Sequence, residues 1–390
     1  MKSITQKESF LIVGAGPSGL IMGIELLRLG YSVTILEKNH RQLRTVCGEY
    51  LTPKGKKLIQ ELALSQTLKD FLPLYGMTLY SPRGKKIPTQ FPQNQTGVSV
   101  KRDLFQQRLE EEFVHLGGFV QREVEIQEIN RSESGIVIQS RGVQFKSDFL
   151  IGADGRQSTV AKLLNIPTSN VLEKKVAIHC FLKPKTPLPR FGEMHILPNG
   201  SYIGINPITP TEVNFSLVTT LESIRTAGGV KELLNYWIDL KPELSALFHP
   251  IDQEVIKTIS PITRGAQNIT VSRTTLIGDA SGFIDPLTGE GITTAISTAH
   301  LLAQEIKESS SIQLAFQNYE EKRKKDYKHK EWVNLRFQLL IKNTLACEIV
   351  ALILESSERL RSVFIGMIGN VYTPLEAIWN LFIGHFSKRF

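Results

Sequence analysis

Acidic residues stand beside glycines at three widely separated places in this chain, and each place follows a short apolar run. Gly14, Gly16 and Gly19 follow residues 10–13, and Glu37 closes a second apolar run at 33–36. Asp154 and Gly155 follow residues 149–151, and Asp279 follows residues 275–277. In the first unit each part has a physical task. Gly14 permits a tight turn. Gly16 lets the backbone approach a pyrophosphate, and Gly19, like Gly23, lets a helix pack close to a sheet. The helix N-terminus offers unpaired N–H groups and a positive dipole end to phosphates. Glu37 can accept both hydroxyls of an adenosine ribose. Strand, turn, helix, strand and acid together read as a dinucleotide site. Ligands of open parallel sheets bind at the carboxyl ends of strands. Three such ends imply one long ligand lying across one sheet edge.

The elements that must hold these residues can be read from pattern. Gly30 stands where a left-handed helix cap is wanted. Pro53 starts a helix that runs to Leu62, and residues 77–80 and 86–89 form a hairpin around Ser81-Pro82-Arg83-Gly84. Asp103 is the expected N-cap of a helix to Leu116, with Leu104, Leu109 and Phe113 on its apolar face. Strand-like runs between 176 and 220 alternate with proline-rich turns, which reads as an antiparallel sheet inserted into an α/β domain. Helical patterns follow near 230–237 and 242–248, and a long helix over 292–306 follows a Gly-rich loop. The expected organisation is a discontinuous Rossmann-like dinucleotide-binding domain (1–75, 100–168, 262–330). A substrate-binding antiparallel sheet domain takes 76–99 and 169–261, and a C-terminal helical region takes 331–390.

Composition sets bounds. The chain has 390 residues, 41% hydrophobic and 22% charged, with a net charge of +8. Its three cysteines, Cys47, Cys180 and Cys347, have no disulfide or metal spacing, and its eight histidines form no metal pattern. A reducing, cytoplasmic setting is therefore expected. The apolar segment near the N-terminus runs into the glycine turn and reads as a strand, not a signal peptide. No nucleic-acid reader motif accompanies the positive charge. A basic stripe at 322–330 precedes apolar helical patterns, whose longest uncharged run, 362–375, falls short of the roughly 20 residues a membrane span needs. That stripe reads either as a solvated helix face or as a peripheral contact with an anionic membrane surface.

Taken together, the three motifs resemble the FAD-dependent monooxygenase and geranylgeranyl reductase superfamily, with its para-hydroxybenzoate-hydroxylase-like fold. The resemblance covers residues 8 to 330. It implies that Gly14, Gly16 and Gly19 approach the FAD pyrophosphate and that Glu37 holds the adenosine ribose. It implies that Arg102 faces the cofactor, that Asp154 and Gly155 lie next to the phosphates, and that Asp279 binds the ribityl chain or pyrophosphate. The loop from Asp285 to Ile292, with Pro286, Gly289 and Gly291, would lie against the isoalloxazine ring. A Gly-rich loop opening a helix presents N–H groups to the charge of reduced flavin. The FAD would be non-covalent, since no flavinylation motif is present. A second dinucleotide fingerprint is missing, so NAD(P)H would be a transient reductant.

Cys47-Gly48-Glu49 and the 285–292 loop look more like the reductase and halogenase branches than the aromatic hydroxylases. Reductases carry Tyr-x-Trp-x-Phe-Pro over the flavin. Here Tyr202 and Pro207 remain, while Gly204 and Asn206 replace the aromatics. Cys47 is a candidate proton donor or redox partner and equally a buried cysteine. Tyr202 could serve a substrate oxygen or simply wall the pocket. With Asn206 they complete the candidate pocket residues. The first expectation is an NAD(P)H- and O2-using hydroxylase or epoxidase of an apolar aromatic, polyketide-like or lipid substrate. The alternatives are a reductase of isoprenoid or lipid double bonds and a flavin-binding electron relay without turnover.

Overall fold

The computed structural model describes residues 8–41, 46–170, 175–369, 371–372 and 374–382. Apolar and β-branched runs make the central sheet. Its six strands lie in the order Thr270–Val271, Thr274–Leu276, Phe149–Gly152, Ser9–Val13, Ser32–Leu36, Phe119–Gln121. All neighbours are parallel except the first pair, a hairpin. Phe10 pairs with Phe149, and Ile151 pairs with Thr275, so the three motif-bearing strands are adjacent and in step. Their carboxyl ends share one edge of the sheet, as the spacing predicts.

Helix Pro17–Arg28 returns from the first strand with nearly all its residues buried. It ends at Gly30, whose φ is +84°. The N–H of Gly30 bonds to Leu27 O at 2.8 Å and that of Tyr31 to Leu26 O at 3.0 Å, the paired closure of a Schellman motif. Helix Arg102–His115 packs beside it and buries Phe105, Leu109 and Phe113. Two details differ from the sequence reading. The N-cap is Lys101, and Asp103 lies inside the first turn, where its charge still favours the helix dipole. Phe105, not Leu104, completes the buried face, because Leu109 and Phe113 continue a period of four from 105.

The second sheet has seven strands, in the order Lys257–Ile259, Lys175–Leu182, Glu212–Thr220, Tyr202–Thr209, Phe191–Ile196, Gly76–Tyr80, Lys86–Gln90. It is antiparallel except where Phe191–Ile196 runs parallel to Gly76–Tyr80. That pair joins two distant stretches of chain, so no hairpin dictates its direction. Each strand sorts its side chains between two cores. Ile203 and Ile205 pack with Leu234, Trp237 and Phe248 beneath helices Val230–Leu240 and Pro242–Leu247. Tyr202 points to the other face, with Met194, Leu79 and Leu287.

That other face is covered by helices Ile312–Lys342, Thr344–Ser356 and Glu358–Ile368. Ile312–Lys342 is one continuous helix, so the boundary expected at 330/331 falls inside it. The switch from basic to apolar sequence there marks a change in what the helix faces, not its end. Among the described residues no single helix is long and apolar enough to cross a membrane.

Candidate functional site

The glycine turn sits against the second motif. Gly14 has φ +104°, and a Cβ placed there would stand 2.5 Å from the Ala153 carbonyl oxygen. Gly16 is different: its nearest neighbour would be Arg102 Nη2 at 3.9 Å. So Gly14 is needed by the protein's own packing, while Gly16 faces room. Gly155 and Gly291 also face open space, with nothing within 4 Å of an added Cβ. Open space at three sites along one sheet edge, beside main-chain N–H groups, is the cradle an extended dinucleotide requires.

Acids and bases around this edge are arranged in two ways. Glu37 Oε2 accepts the N–H of Ala15 at 2.9 Å, and its Oε1 accepts from Asn39, so the carboxylate lies on the glycine turn. Gln106 Nε2 donates to Ala15 O at 2.7 Å from the neighbouring helix. Asp154 accepts from Ser158 Oγ and the N–H of Val160, so its carboxylate supports Ser158, the N-cap of the short helix Thr159–Leu163. Burial raises its pKa, against those hydrogen bonds. Its backbone, with Ala153, is what borders the glycine turn. Asp279 accepts Arg156 Nε at 3.1 Å. The Arg156 guanidinium also stacks on Phe283 at 4.9 Å, and its Nη1 is buried with no protein partner. Burial lowers the pKa of Arg102, partly offset by Cys47, Asp279 and Glu49. The two arginines give the site a positive field suited to a pyrophosphate or an anionic ring.

The third motif leads into the loop expected at the flavin ring. Asp285, 1% exposed, anchors it. Its carboxylate accepts the Tyr202 hydroxyl, lies 3.3 Å from Lys175 Nζ, and accepts the Leu287 N–H at 3.1 Å. Asn334 Nδ2 donates to its main-chain oxygen at 2.9 Å. Pro286 starts the turn, and Gly289, φ +68°, closes it against the Tyr50 ring. Helix Gly291–Glu308 then begins with no side-chain cap, which leaves its first N–H groups open to an anion, and Ile292 is buried behind it. Glu290 would oppose an anion there, but Lys330 Nζ pairs with it at 3.2 Å. That lysine belongs to the basic stripe. Arg323 is also turned inward, donating to Gly282 O, and Lys322 pairs with Glu305.

The candidate pocket residues resolve unequally. Tyr202 spends its hydroxyl on Asp285, and burial and that carboxylate push its pKa well up. Asn206 Nδ2 donates to Gly48 O at 3.1 Å and Glu49 O at 2.8 Å, while its Oδ1 accepts from Ser99. Asn214, its partner in register, donates to Cys47 O at 2.7 Å. The two asparagines therefore clamp the Cys47–Glu49 backbone to the second sheet. Burial pushes the Cys47 thiol up, against the pull of Arg102. Gly204, between Tyr202 and Asn206 on the same face, has nothing within 4 Å. It pairs with Met194, which lines an apolar cavity of about 70 Å³. Leu287 and Thr288 of the loop form one wall of that cavity, and Phe337, Leu340, Val350 and Leu354 of the covering helices form another. No group of His, Cys, Asp and Glu suited to a metal exists among the described residues.

Arg156 and Gln106 belong to no motif read from the sequence. The one signal for Arg156 is its place directly after Asp154-Gly155. Gln106 is marked only by standing one helical turn after Arg102.

The chain is 23% identical over 385 residues to a menaquinone reductase of Mycolicibacterium smegmatis, covering 95% of this chain and 93% of that protein. It is 22% identical over 354 residues to a digeranylgeranylglycerophospholipid reductase of Methanosarcina acetivorans, covering 85% and 83%. Among solved structures, the flavin-dependent brominase Bmp2 superposes with a TM-score of 0.79 over 93% of both chains at 17% identity, a likeness of fold. Residues 7–327 match the family described as FAD binding domain. With a sheet edge that offers the cradle, the positive field and the open helix end an FAD needs, the chain belongs to that family and is an FAD-dependent oxidoreductase.

Proposed function

We propose that the protein reduces carbon–carbon double bonds in a long apolar lipid or isoprenoid substrate, with NAD(P)H as the transient source of electrons. The observation that carries this reading is the apolar cavity that starts at Leu287 and Thr288 and is roofed by the C-terminal helices. Its lining offers little to a polar ligand and suits a hydrocarbon chain. Two relatives are named for quinone and lipid reduction, and the menaquinone reductase matches 95% of this chain.

In this reading Gly14 and Gly19 pack the turn and helix tightly against the sheet, while Gly16 and Gly155 admit the pyrophosphate to the backbone. Glu37 orders the turn and reaches the ribose, and Arg102, Arg156 and Asp279 set charge along the cofactor. FAD supplies the electron pair once reduced. The open N-terminus of Gly291–Glu308 favours the reduced, anionic ring, with Glu290 neutralised by Lys330. Saturating an alkene also needs a proton, and Cys47, set among Arg102, Arg156 and Glu49, can carry one. The Asn206 and Asn214 clamp fixes that segment. The covering helices exclude water.

A second reading, oxygenation of the same substrate class, is favoured by Gly204 and Asn206. Gly204 leaves open space, and Asn206 puts a polar amide, where the reductase pattern has aromatics. Strictly anaerobic turnover of a geranylgeranyl lipid with NAD(P)H, followed by mass spectrometry, separates the two. Saturated product formed without oxygen supports reduction. Product that appears only with O2 and carries an oxygen atom overturns it.

A further inference from the structure

The helices that roof the cavity have a second face. On Ile312–Lys342 the inner side is engaged through Arg323, Lys330 and Asn334. Its outer side carries Lys325, Lys328, Trp332, Leu335, Leu339 and Lys342, all exposed and separated by alternating steps of three and four. Trp332 is 56% exposed, and Leu335 and Leu339 are 54% exposed each. The chain then turns by 107° into Thr344–Ser356. There Leu345, Ile349, Leu352 and Ile353 are exposed on one face, while Cys347, Ala351 and Leu354 are buried over the cavity. Glu348, the one acid among residues 343–354, is turned inward onto Ser81 Oγ and the Arg83 N–H.

We propose that these outer faces dock on an anionic lipid bilayer, with both helices lying in the plane of the interface. Three features select that occupant. The stripe is apolar in the middle and basic at both ends, and an indole with Arg336 stacked at 4.9 Å stands at one boundary, the chemistry of the headgroup region. Exposed acids near it are few: Asp326 is paired with Lys330, Glu331 stands one turn from Lys328 and Leu335 at the stripe's edge, and Glu355 is paired with Lys85. A second copy of the chain docked symmetrically on this face would set lysines against lysines in either direction, whereas anionic headgroups complement them. No single helix among the described residues can span, and the inner contacts hold Ile312–Lys342 on the protein, so it lies on the bilayer. The consequence is that only one helix layer separates the apolar cavity from lipid. This consequence rests on the reading of the cavity as the substrate site; the docking itself does not.

The test uses the full-length, FAD-loaded protein and vesicles of phosphatidylcholine alone or mixed two to one with phosphatidylglycerol. Co-sedimentation is expected with the anionic vesicles, at least about tenfold weaker with neutral ones, and falling as salt shortens the Debye length. Brominated acyl chains should quench Trp332 fluorescence in a Trp379→Phe background. Lys325→Gln and Lys328→Gln should each weaken binding about fivefold, and Leu345→Gln with Ile349→Gln should remove it, with flavin content and melting temperature unchanged. Equal binding to neutral vesicles, no quenching, or a stable dimer that the Leu345/Ile349 variant splits would each overturn the proposal. Turnover of a detergent-dispersed lipid is scored separately on the same samples. Its failure strikes the reductase reading, and vesicle binding alone strikes or supports the docking.

Discussion

The cofactor edge and the cavity beyond it are built on opposite principles. Along the cofactor edge, recognition is done by the main chain. Gly14, Gly16, Gly155 and Gly291 matter for what they lack, and the strands that present them are adjacent and in register. The proposed substrate cavity is lined by side chains from seven separate elements, of which only the 285–292 loop carries a motif, and the walls meet only through the fold. The first region tolerates almost no added atoms at defined points. The second should tolerate many exchanges and respond to volume. That difference can be broken or sharpened by substitution.

The largest effect is expected within the glycine turn itself. Gly14→Val puts carbon within 2.5 Å of Ala153 O at φ +104°, so it should cost the fold of the turn and leave little soluble protein. Gly16→Val meets only Arg102 Nη2 at 3.9 Å. It should fold normally, with a melting profile like that of the FAD-free parent, and still bind no FAD in a fluorescence titration. If both variants behave alike, the division between packing glycine and cofactor glycine is wrong.

Next comes Gly204→Trp, which restores the aromatic of the reductase pattern into space that is open here. FAD binding should persist, while turnover of the long-chain substrate changes by about tenfold or more, the scale of a pocket-volume effect. Unchanged turnover would place the substrate elsewhere than over this strand. Asn206→Ala should be milder. It removes the donor to Gly48 O and Glu49 O and leaves buried acceptors, a loss of roughly 1–3 kcal/mol read by denaturant melts. A neutral outcome would mean the clamp rests on Asn214 alone.

How much could be read beforehand follows the same divide. Gly14, Gly16, Glu37 and Asp279 were legible because a tight turn, a close approach and a strand end each demand a residue type at a fixed offset. The Asp154 carboxylate was not: a motif names the residue but not the rotamer, and it is held by the hydroxyl of Ser158, the helix N-cap four residues on. Tyr202 and Asn206, read as pocket candidates, are both buried with their side chains committed to hydrogen bonds within the protein. Their roles depended on partners far along the chain, Asp285 and Gly48-Glu49. The basic stripe shows the limit best. Six cations at 322–330 read as one surface, yet helical periodicity sends Arg323 inward to Gly282 O and Lys330 to Glu290, and leaves Lys324, Lys325 and Lys328 exposed.

The smallest effect expected is a pH dependence, and it lies between the two regions, where helix Gly291–Glu308 packs on Pro17–Arg28. His300 Nδ1 lies 3.0 Å from Glu25 Oε1. The hydrogen bond to Glu25 raises the His300 pKa above 6.5, against burial, and burial raises that of Glu25 above 4.5, against the bond to His300. Both groups therefore hold protons more tightly folded than unfolded. For His300 the stabilisation is complete below its unfolded value near 6.5 and is lost as pH rises through its raised folded value. For Glu25 the folded state is likewise favoured less as pH climbs above 4.5. The signs agree, so melting temperature should decline from about pH 5 to about pH 8. The slope should flatten in His300→Gln, which keeps a hydrogen-bond donor without the titration. Because the pair is only partly buried, the difference should stay under about 1 kcal/mol. A His300→Gln protein that loses stability equally at every pH would show that the contact matters for packing and not for charge.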